Sequence, residues 1–216
     1  MTKQTRTNSV ILVLNTLLSL TLTAVVVAQE PRLESRVPDP PRSEINAILD
    51  SARAAGLPTE PLVDRALEGV SKGAGPNLVL EAVRRLNTEL VAARDALGDQ
   101  SSDAEIVAGA SALRAGATPE DLTYLRQLRP DQPLTVAAAV LADLVAVGVP
   151  LDTAVAAVVA LAEQAADAEY IAFRKNVERD ISLGASPVTA LGVRLEAAAD
   201  RLDLGSRNPA PRPRKP

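Results

Sequence analysis

The chain of 216 residues contains no cysteine, no histidine and no tryptophan, and only two tyrosines and one phenylalanine. Without cysteine it has no disulfide, thiolate nucleophile, iron–sulfur cluster or lipidated cysteine anchor. Without histidine it has no Ser-His-Asp triad, no imidazole base and no HExxH zinc site. So few aromatic rings leave almost no platform for stacking bases or sugars. What is present is mainly apolar, since 47% of the residues are hydrophobic and nearly all of these are Ala, Val and Leu.

The charges are unevenly distributed along the chain. The formal net charge is -4, from 23 basic and 27 acidic residues. Residues 29–204 carry a net charge of -10, whereas residues 205–216 carry four cations and no acid. A domain that binds duplex nucleic acid needs a clustered basic face, which this acidic body lacks. We therefore expect no nucleic-acid partner.

The N-terminus has the pattern of a secretory signal peptide. Residues 1–9 are polar and contain Lys3 and Arg6, and residues 10–28 are largely apolar and end in Val-Val-Ala. This pattern predicts cleavage between Ala28 and Gln29. The alternative is an uncleaved anchor, because the nineteen residues 10–28 just reach the length of a membrane span. Both interpretations predict an exported protein, periplasmic or extracellular, that meets the membrane only through this N-terminal segment.

Three zones follow the leader. Residues 29–42 contain four prolines among balanced charges, which predicts an extended linker. Residues 43–204 are the predicted all-helical domain. Residues 205–216 contain four prolines and four cations, which predicts a disordered or polyproline-like basic tail. Without disulfides the domain must be stabilised by its core, and about 160 residues are enough for one.

The domain has the composition and the boundary signals of an all-α protein. Ala and Leu are the most frequent residues, Arg and Glu add further helix formers, and no segment alternates apolar and polar residues as a strand does. A Gly repeatedly follows an apolar run, and a Pro soon afterwards marks the start of the next helix. Thr118 and Ser186 are predicted N-caps. These signals predict helices over residues 43–55, 60–71, 76–97, 102–115, 119–128, 133–147, 150–165, 167–183 and 187–202.

One sequence motif occurs twice. The segment that begins Asp-Ala-Glu at Asp103 is repeated at Asp167, and each copy leads to a Gly-Ala-(Ser/Thr)-Pro turn, at Gly116 and Gly184. The distances to the turn differ by four residues, so the second helix is predicted to be one turn longer. The repetition indicates duplicated helical hairpins. Either a bundle or a short irregular superhelix of antiparallel hairpins fits this pattern.

Two polar motifs invite a functional interpretation. Glu163, Asp167 and Glu169 lie close in sequence, and paired carboxylates are the groups that glycosidases and divalent-cation sites use. A solvated helix end, with Asp167 as N-cap, is the simpler interpretation. The glycine-rich segment 68–76 precedes a helix and contains Lys72. It lacks the P-loop spacing and a preceding strand, so we interpret it as a turn between helices.

The predicted helix 167–183 contains two of the three aromatic rings. Tyr170 and Phe173 lie at helical spacing, and Arg174 follows on a neighbouring face. Aromatic and arginine side chains dominate hot spots of protein interfaces, so Tyr170, Phe173 and Arg174 are the candidate partner-binding residues. The alternative is that the aromatic stripe packs in the core.

The segment GLPTEPLVDRALEGVSKGAGPNLVLEAVRRL, residues 56–86, resembles segments of uncharacterised exported helical proteins of bacteria. The resemblance lies in the spacing of Gly, Pro and apolar residues, and it implies a bacterial, exported origin but no activity and no site residues.

These observations lead to one main functional hypothesis. We expect a non-enzymatic, exported helical protein of the bacterial cell envelope that binds or scaffolds a protein or envelope component, with no cofactor and no metal. The alternatives are a hydrolase that uses only carboxylates or Ser and Lys, and a carrier of a small apolar ligand, which would need an apolar cavity.

Overall fold

The computed structural model describes residues 30–207, with side chains through Leu202, and this range forms ten α-helices and no strand. The all-α prediction is thereby confirmed. The predicted signal peptide, its cleavage between Ala28 and Gln29, and residues 208–216 of the basic tail lie outside the described residues. The helices are α1 (Pro31–Glu34), α2 (Pro41–Ala54), α3 (Glu60–Ser71), α4 (Pro76–Leu97), α5 (Asp103–Arg114), α6 (Pro119–Leu128), α7 (Thr135–Ala146), α8 (Leu151–Leu161), α9 (Asp167–Ser182) and α10 (Pro187–Arg207).

Glycine ends the helices where the sequence indicated. After α7, Gly148 has a φ of 93°, a left-handed conformation that favours glycine. Its N–H donates to the carbonyl of Val145 at 3.0 Å, and the next N–H, of Val149, donates to Leu144 at 3.0 Å. This is the Schellman arrangement, and it carries the apolar Val149 back into the core, where it is buried. Each such turn therefore stops one helix and packs the residue that leads to the next.

Side-chain caps start several helices. The Thr118 hydroxyl accepts from the N–H of Asp121 at 3.2 Å, and the Asp121 carboxylate accepts from the N–H of Thr118 at 2.8 Å. Ser186 accepts from the N–H of Thr189 at 3.2 Å. Both predicted caps are confirmed. The two copies of the repeated motif also agree, because α5 and α9 each begin at the Asp of the motif and have 12 and 16 residues.

The helices contact one another in two rows. In one row α2 packs against α4, α4 against α6, α6 against α8, and α8 against α10; in the other α5 packs against α7, and α7 against α9. Some consecutive helices also pack against each other, as α3 with α4, α4 with α5 and α9 with α10 do. The core lies between the rows, and α7, whose sequence is almost entirely Ala, Val and Leu, contacts α5, α8 and α9.

The predicted linker over residues 29–42 differs from what the structure contains from residue 30 onward. Residues 31–34 form α1, and the side chains of Leu33 and Val37 are buried in the core. Arg32 also donates two hydrogen bonds to the carboxylate of Glu60, at 2.7 and 2.8 Å. The burial of these two apolar side chains, four positions apart, anchors the proline-rich segment to the core. The segment is therefore part of the domain and not a spacer.

Two helix ends differ from the prediction by four residues or more. α8 ends at Leu161 rather than at residue 165, because a buried arginine described below takes the carbonyls of Ala162 and Ala165. α10 continues to Arg207, so residues 205–207 of the predicted disordered tail are helical. Across the described range, no helix combines the length and the apolar character that a membrane crossing requires.

Candidate functional site

The predicted partner-binding helix is α9, and the structure places its two rings inside the protein. Tyr170 is 0% exposed and Phe173 is 1% exposed. Rings without accessible surface cannot bind a partner, so this part of the prediction is wrong and the core-packing alternative is correct. Arg174 remains partly exposed and donates to the carboxylate of Asp143 on α7 at 2.8 Å. It also forms an ion pair with Glu178, one turn further along α9, at 3.4 Å. Arg174 therefore ties α9 to α7.

Among the described residues Arg129 is the largest side chain that is fully buried, and it lies against one of the two rings. It follows α6 and donates to the carbonyls of Ala162 at 3.1 Å and Ala165 at 2.5 Å, beyond the end of α8. Its guanidinium lies 5.4 Å from the centre of the Tyr170 ring, and one of its nitrogens lies 3.6 Å from a carboxylate oxygen of Asp167. A cation over an aromatic face and two accepting carbonyls compensate for the burial of the charge.

Tyr170 completes this cluster. Its hydroxyl donates to the carbonyl of Val158 at 2.8 Å. Burial raises the pKa of Tyr170 to about 12, against the opposing effect of the positive charge of Arg129. The phenol therefore stays neutral and cannot act as a base at physiological pH. The cluster joins the end of α6, the end of α8 and the start of α9, which is a structural role.

A second buried charge lies on α5. The Glu105 carboxylate accepts from the N–H of Leu134 and from the N–H and hydroxyl of Ser102, each at 3.0 Å, and it forms an ion pair with Arg126. Burial raises the pKa of Glu105, but the hydrogen bonds from the two backbone amides, Arg126 and the Ser102 hydroxyl outweigh burial and lower it to about 2. Glu105 is therefore an ionised structural group, and it brings the start of α5 next to the start of α7.

The predicted carboxylate cluster is not assembled into a site. Glu163 and Glu169 are exposed, and Asp167 contacts Arg129 instead of capping α9, whose N-cap is Ala166. Among the described residues, no group of three or more acidic side chains is placed so that it could share a metal ion. The glycine-rich segment before α4 is a turn between helices: Lys72 pairs with Glu68 at 2.5 Å, and Gly69 packs against Val79.

The most extensive concave surface that we identify lies between α3, α5 and α7, and we call it the α3–α5–α7 groove. It has a volume of about 580 Å³. Its floor consists of small apolar side chains at helical spacing on two neighbouring helices, and the helices run in the same direction because their starts meet at Glu105. The floor residues are Ala104, Val107 and Ala108 on α5 and Ala139 and Ala142 on α7.

The charged residues that line this groove are all acidic. They are Glu60 at the start of α3, Asp103 at the start of α5 and Asp143 near the end of α7. Hydrogen bonds from Arg32 lower the pKa of Glu60, and Arg174 pairs with Asp143 from outside the groove. Asp103 has no ion-pair partner among the residues that the structure describes. The groove therefore combines an apolar floor with an acidic rim, of which Asp103 is the carboxylate that no cation of the described residues neutralises.

Sequence reasoning missed the three charged side chains that organise this region. Ser102 and Glu105 form a capping box, a spacing of Ser and Glu that is recognisable in the sequence. Arg126 and Arg129 carry no such local signal, because their partners are 21 to 36 residues away. Comparisons with models of protein families, with curated proteins and with solved structures found no match.

Proposed function

We propose that this chain is an exported, non-enzymatic protein of the bacterial cell envelope that binds or scaffolds a protein partner through the α3–α5–α7 groove. The observation that carries the proposal is the groove itself: an apolar floor of small side chains inside a rim of Glu60, Asp103 and Asp143. Export rests on the predicted signal peptide, and binding rests on the groove.

The shape of the groove suits a polypeptide segment. Its volume of about 580 Å³ lies in the range of binding clefts. Alanines on both walls let the backbone of a partner approach closely. The α7 side of the groove, from Thr135 to Asp143, spans about 12 Å, or eight helical steps of about 1.5 Å each. A short apolar segment with cationic flanks would fill the floor and pair with the rim.

The alternatives have less support. A carboxylate-based hydrolase needs a general acid with a raised pKa, whereas the pKa of Glu60 is lowered. A carrier of a small apolar ligand needs an enclosed apolar space. The most closed cleft of those we identify, between α8, α9 and α10, has only about 240 Å³, and Glu169 and Arg201 lie in its lining. That volume is below the usual size of a ligand pocket.

Site-specific photo-cross-linking in the producing bacterium tests this proposal. A photoreactive residue is placed at Ala104, which is exposed in the groove, and, as the matched control, at Ala199, which is exposed on α10. We expect a reproducible envelope protein adduct from position 104 only. The substitution Ala104→Arg should abolish binding of the isolated adduct partner, and Ala199→Arg should leave it unchanged. Equal adducts at both positions, or none at position 104, would refute the proposal.

A further inference from the structure

The net negative charge of the domain is concentrated in its middle. Residues 95–172 contain twelve acidic and three basic side chains, whereas residues 30–94 and 173–202 are each within one charge of neutrality. Two of the three cations, Arg126 and Arg129, are occupied inside the structure by Glu105 and by the carbonyls beyond α8. The surface of the middle helices is therefore strongly acidic, and α5 and α7, which form the floor of the α3–α5–α7 groove, belong to this region.

α10 runs past the start of α9 before the described part of the chain ends. Ala198 and Leu202 of α10 line one cleft with Ala168 near the start of α9, so this part of α10 lies beside the start of α9. Arg129 links that start to the segment that leads into α7. The starts of α5, α7 and α9 and the end of α10 therefore lie at one end of the molecule, where Asp103 stands on the groove rim.

The segment beyond α10 is long enough to reach the groove. α10 packs against α8 and α9, and both of these pack against α7. With helix axes 8–10 Å apart, α7 lies at most about 20 Å from α10. Nine residues in an extended, proline-rich chain span about 28 Å at 3.1 Å per residue.

We infer that residues 208–216 of this chain bind in the α3–α5–α7 groove of the same molecule. This segment carries three cations and no acid, with prolines between them. Proline rings present apolar surface without a side chain that must be ordered, which suits the alanine floor. Arg212 and Lys215 would stand about 9 Å apart in an extended polyproline chain. Either could pair with Asp103, because Glu60 and Asp143 already pair with Arg32 and Arg174, whereas Asp103 has no ion-pair partner among the described residues. The inference rests on the groove of the proposed function and supplies an occupant that an external partner must displace.

The lack of cysteine makes a direct test possible, because a single engineered Cys is the only thiol in the chain. The variant Ala210→Cys of the full exported chain carries a nitroxide label, and nuclear magnetic resonance records the amide signals of Ala104, Ala139 and Ala142. We expect the label to attenuate these groove signals. The combined substitution of Arg212, Arg214 and Lys215 by Ala should restore them, and added salt should restore them in part.

A matched pair of carboxylates tests whether the groove supplies the contact. Asp103 and Asp152 both lie in the first turn of their helices, α5 and α8, but only Asp103 lines the groove. We expect Asp103→Asn to reduce the attenuation and Asp152→Asn to leave it unchanged. Three results would overturn the inference. The groove signals could stay unattenuated, or the attenuation could persist unchanged in Asp103→Asn and after substitution of the three cations. The third is that, in a mixture of labelled and unlabelled copies, the label of one copy attenuates the signals of another, which would make the contact intermolecular.

The two proposals fail in different ways. If the label attenuates the groove signals but position 104 yields no envelope adduct, the proposed partner is refuted and the intramolecular contact is established. If position 104 yields an adduct but the groove signals are not attenuated, the intramolecular contact is refuted and the proposed partner is supported. If both hold, the substitution of the three cations should increase the yield of the adduct, because the groove is then open.

Discussion

Glu105→Gln is the most informative single substitution in this domain. The glutamine has the shape of the glutamate but no charge, and its amide nitrogen is a donor that faces other donors. Glu105 accepts from Leu134, from Ser102 and from Arg126. After the substitution at least one of these donors loses its acceptor inside the protein, and Arg126 loses its counter-charge.

The pKa gives the size of the effect. The pKa of Glu105 is lowered from 4.5 to about 2. Each pKa unit corresponds to about 1.4 kcal/mol, so the ionised form contributes about 3 kcal/mol to the free energy of unfolding at neutral pH. The side chain is only 9% exposed, so little of this is screened by solvent. In a domain of this size the loss lowers the melting temperature by roughly 6 to 12 °C.

The pH dependence follows from the direction of the shift. The carboxyl group has a lower pKa in the folded state than in the unfolded chain, so the stabilisation is fully present above pH 4.5 and is lost as the pH falls from there towards about 2. The stability difference between the wild-type protein and Glu105→Gln should therefore be largest near neutral pH and should shrink over that acidic interval.

Thermal unfolding followed by far-ultraviolet circular dichroism measures this difference, because the chain is helical and has no tryptophan to report by fluorescence. Glu169→Gln is the matched control, since Glu169 occupies the same position of the repeated motif on α9 but is exposed. We expect the control to change the melting temperature little at any pH. A difference for Glu105→Gln that does not change with pH, or one no larger than that of the control, would show that the buried ion pair does not stabilise the domain.

Three further predictions concern other parts of the chain. Arg129→Ala leaves two carbonyls without their donor and removes a buried side chain, so denaturant titration should reveal a loss of about 3 kcal/mol or more. Gly148→Ala should cost about 1 kcal/mol or more because Gly148 has a positive φ, whereas Gly192→Ala, in an open helical position, should stabilise the domain by up to about 1 kcal/mol in the same titration. Mass spectrometry of the exported chain should find Gln29 at its N-terminus, and a chain that retains residues 1–28 would contradict the cleavage prediction.

Local signals made most of the helix boundaries predictable. α3, α4 and α6 begin and end at the predicted residues, because a Pro or a cap starts each one and the signals lie within a few positions of its ends. The segment before α2 differs from the prediction. Its prolines predict an extended chain, but Leu33 and Val37 are buried in the core, and this burial depends on contacts with helices that are distant in sequence. The early end of α8 likewise depends on Arg129, more than 30 residues away in sequence.

The candidate site was less predictable than the fold. The amino-acid types of α9 suggest a partner surface, yet both rings pack in the core, and one of them lies against the buried guanidinium of Arg129. The floor of the groove consists mainly of alanines, which in the sequence are indistinguishable from other helix-forming alanines. Its character arises only when α5 and α7 lie side by side and bring Asp103 and Asp143 to one rim.

The two buried charged residues Glu105 and Arg129 also determine how the groove can be tested. Glu105 fixes the start of α5 against the start of α7, and Arg129 fixes the end of α6 against α8 and α9. A substitution at either residue changes the relative position of the groove walls, so a loss of binding there would not separate recognition from folding. Ala104 and Asp103 are exposed and take no part in those contacts. Asp103→Asn is expected to weaken occupancy of the groove and to have the same melting temperature as Asp152→Asn. In that case the loss of occupancy is due to recognition by the rim and not to a loss of stability.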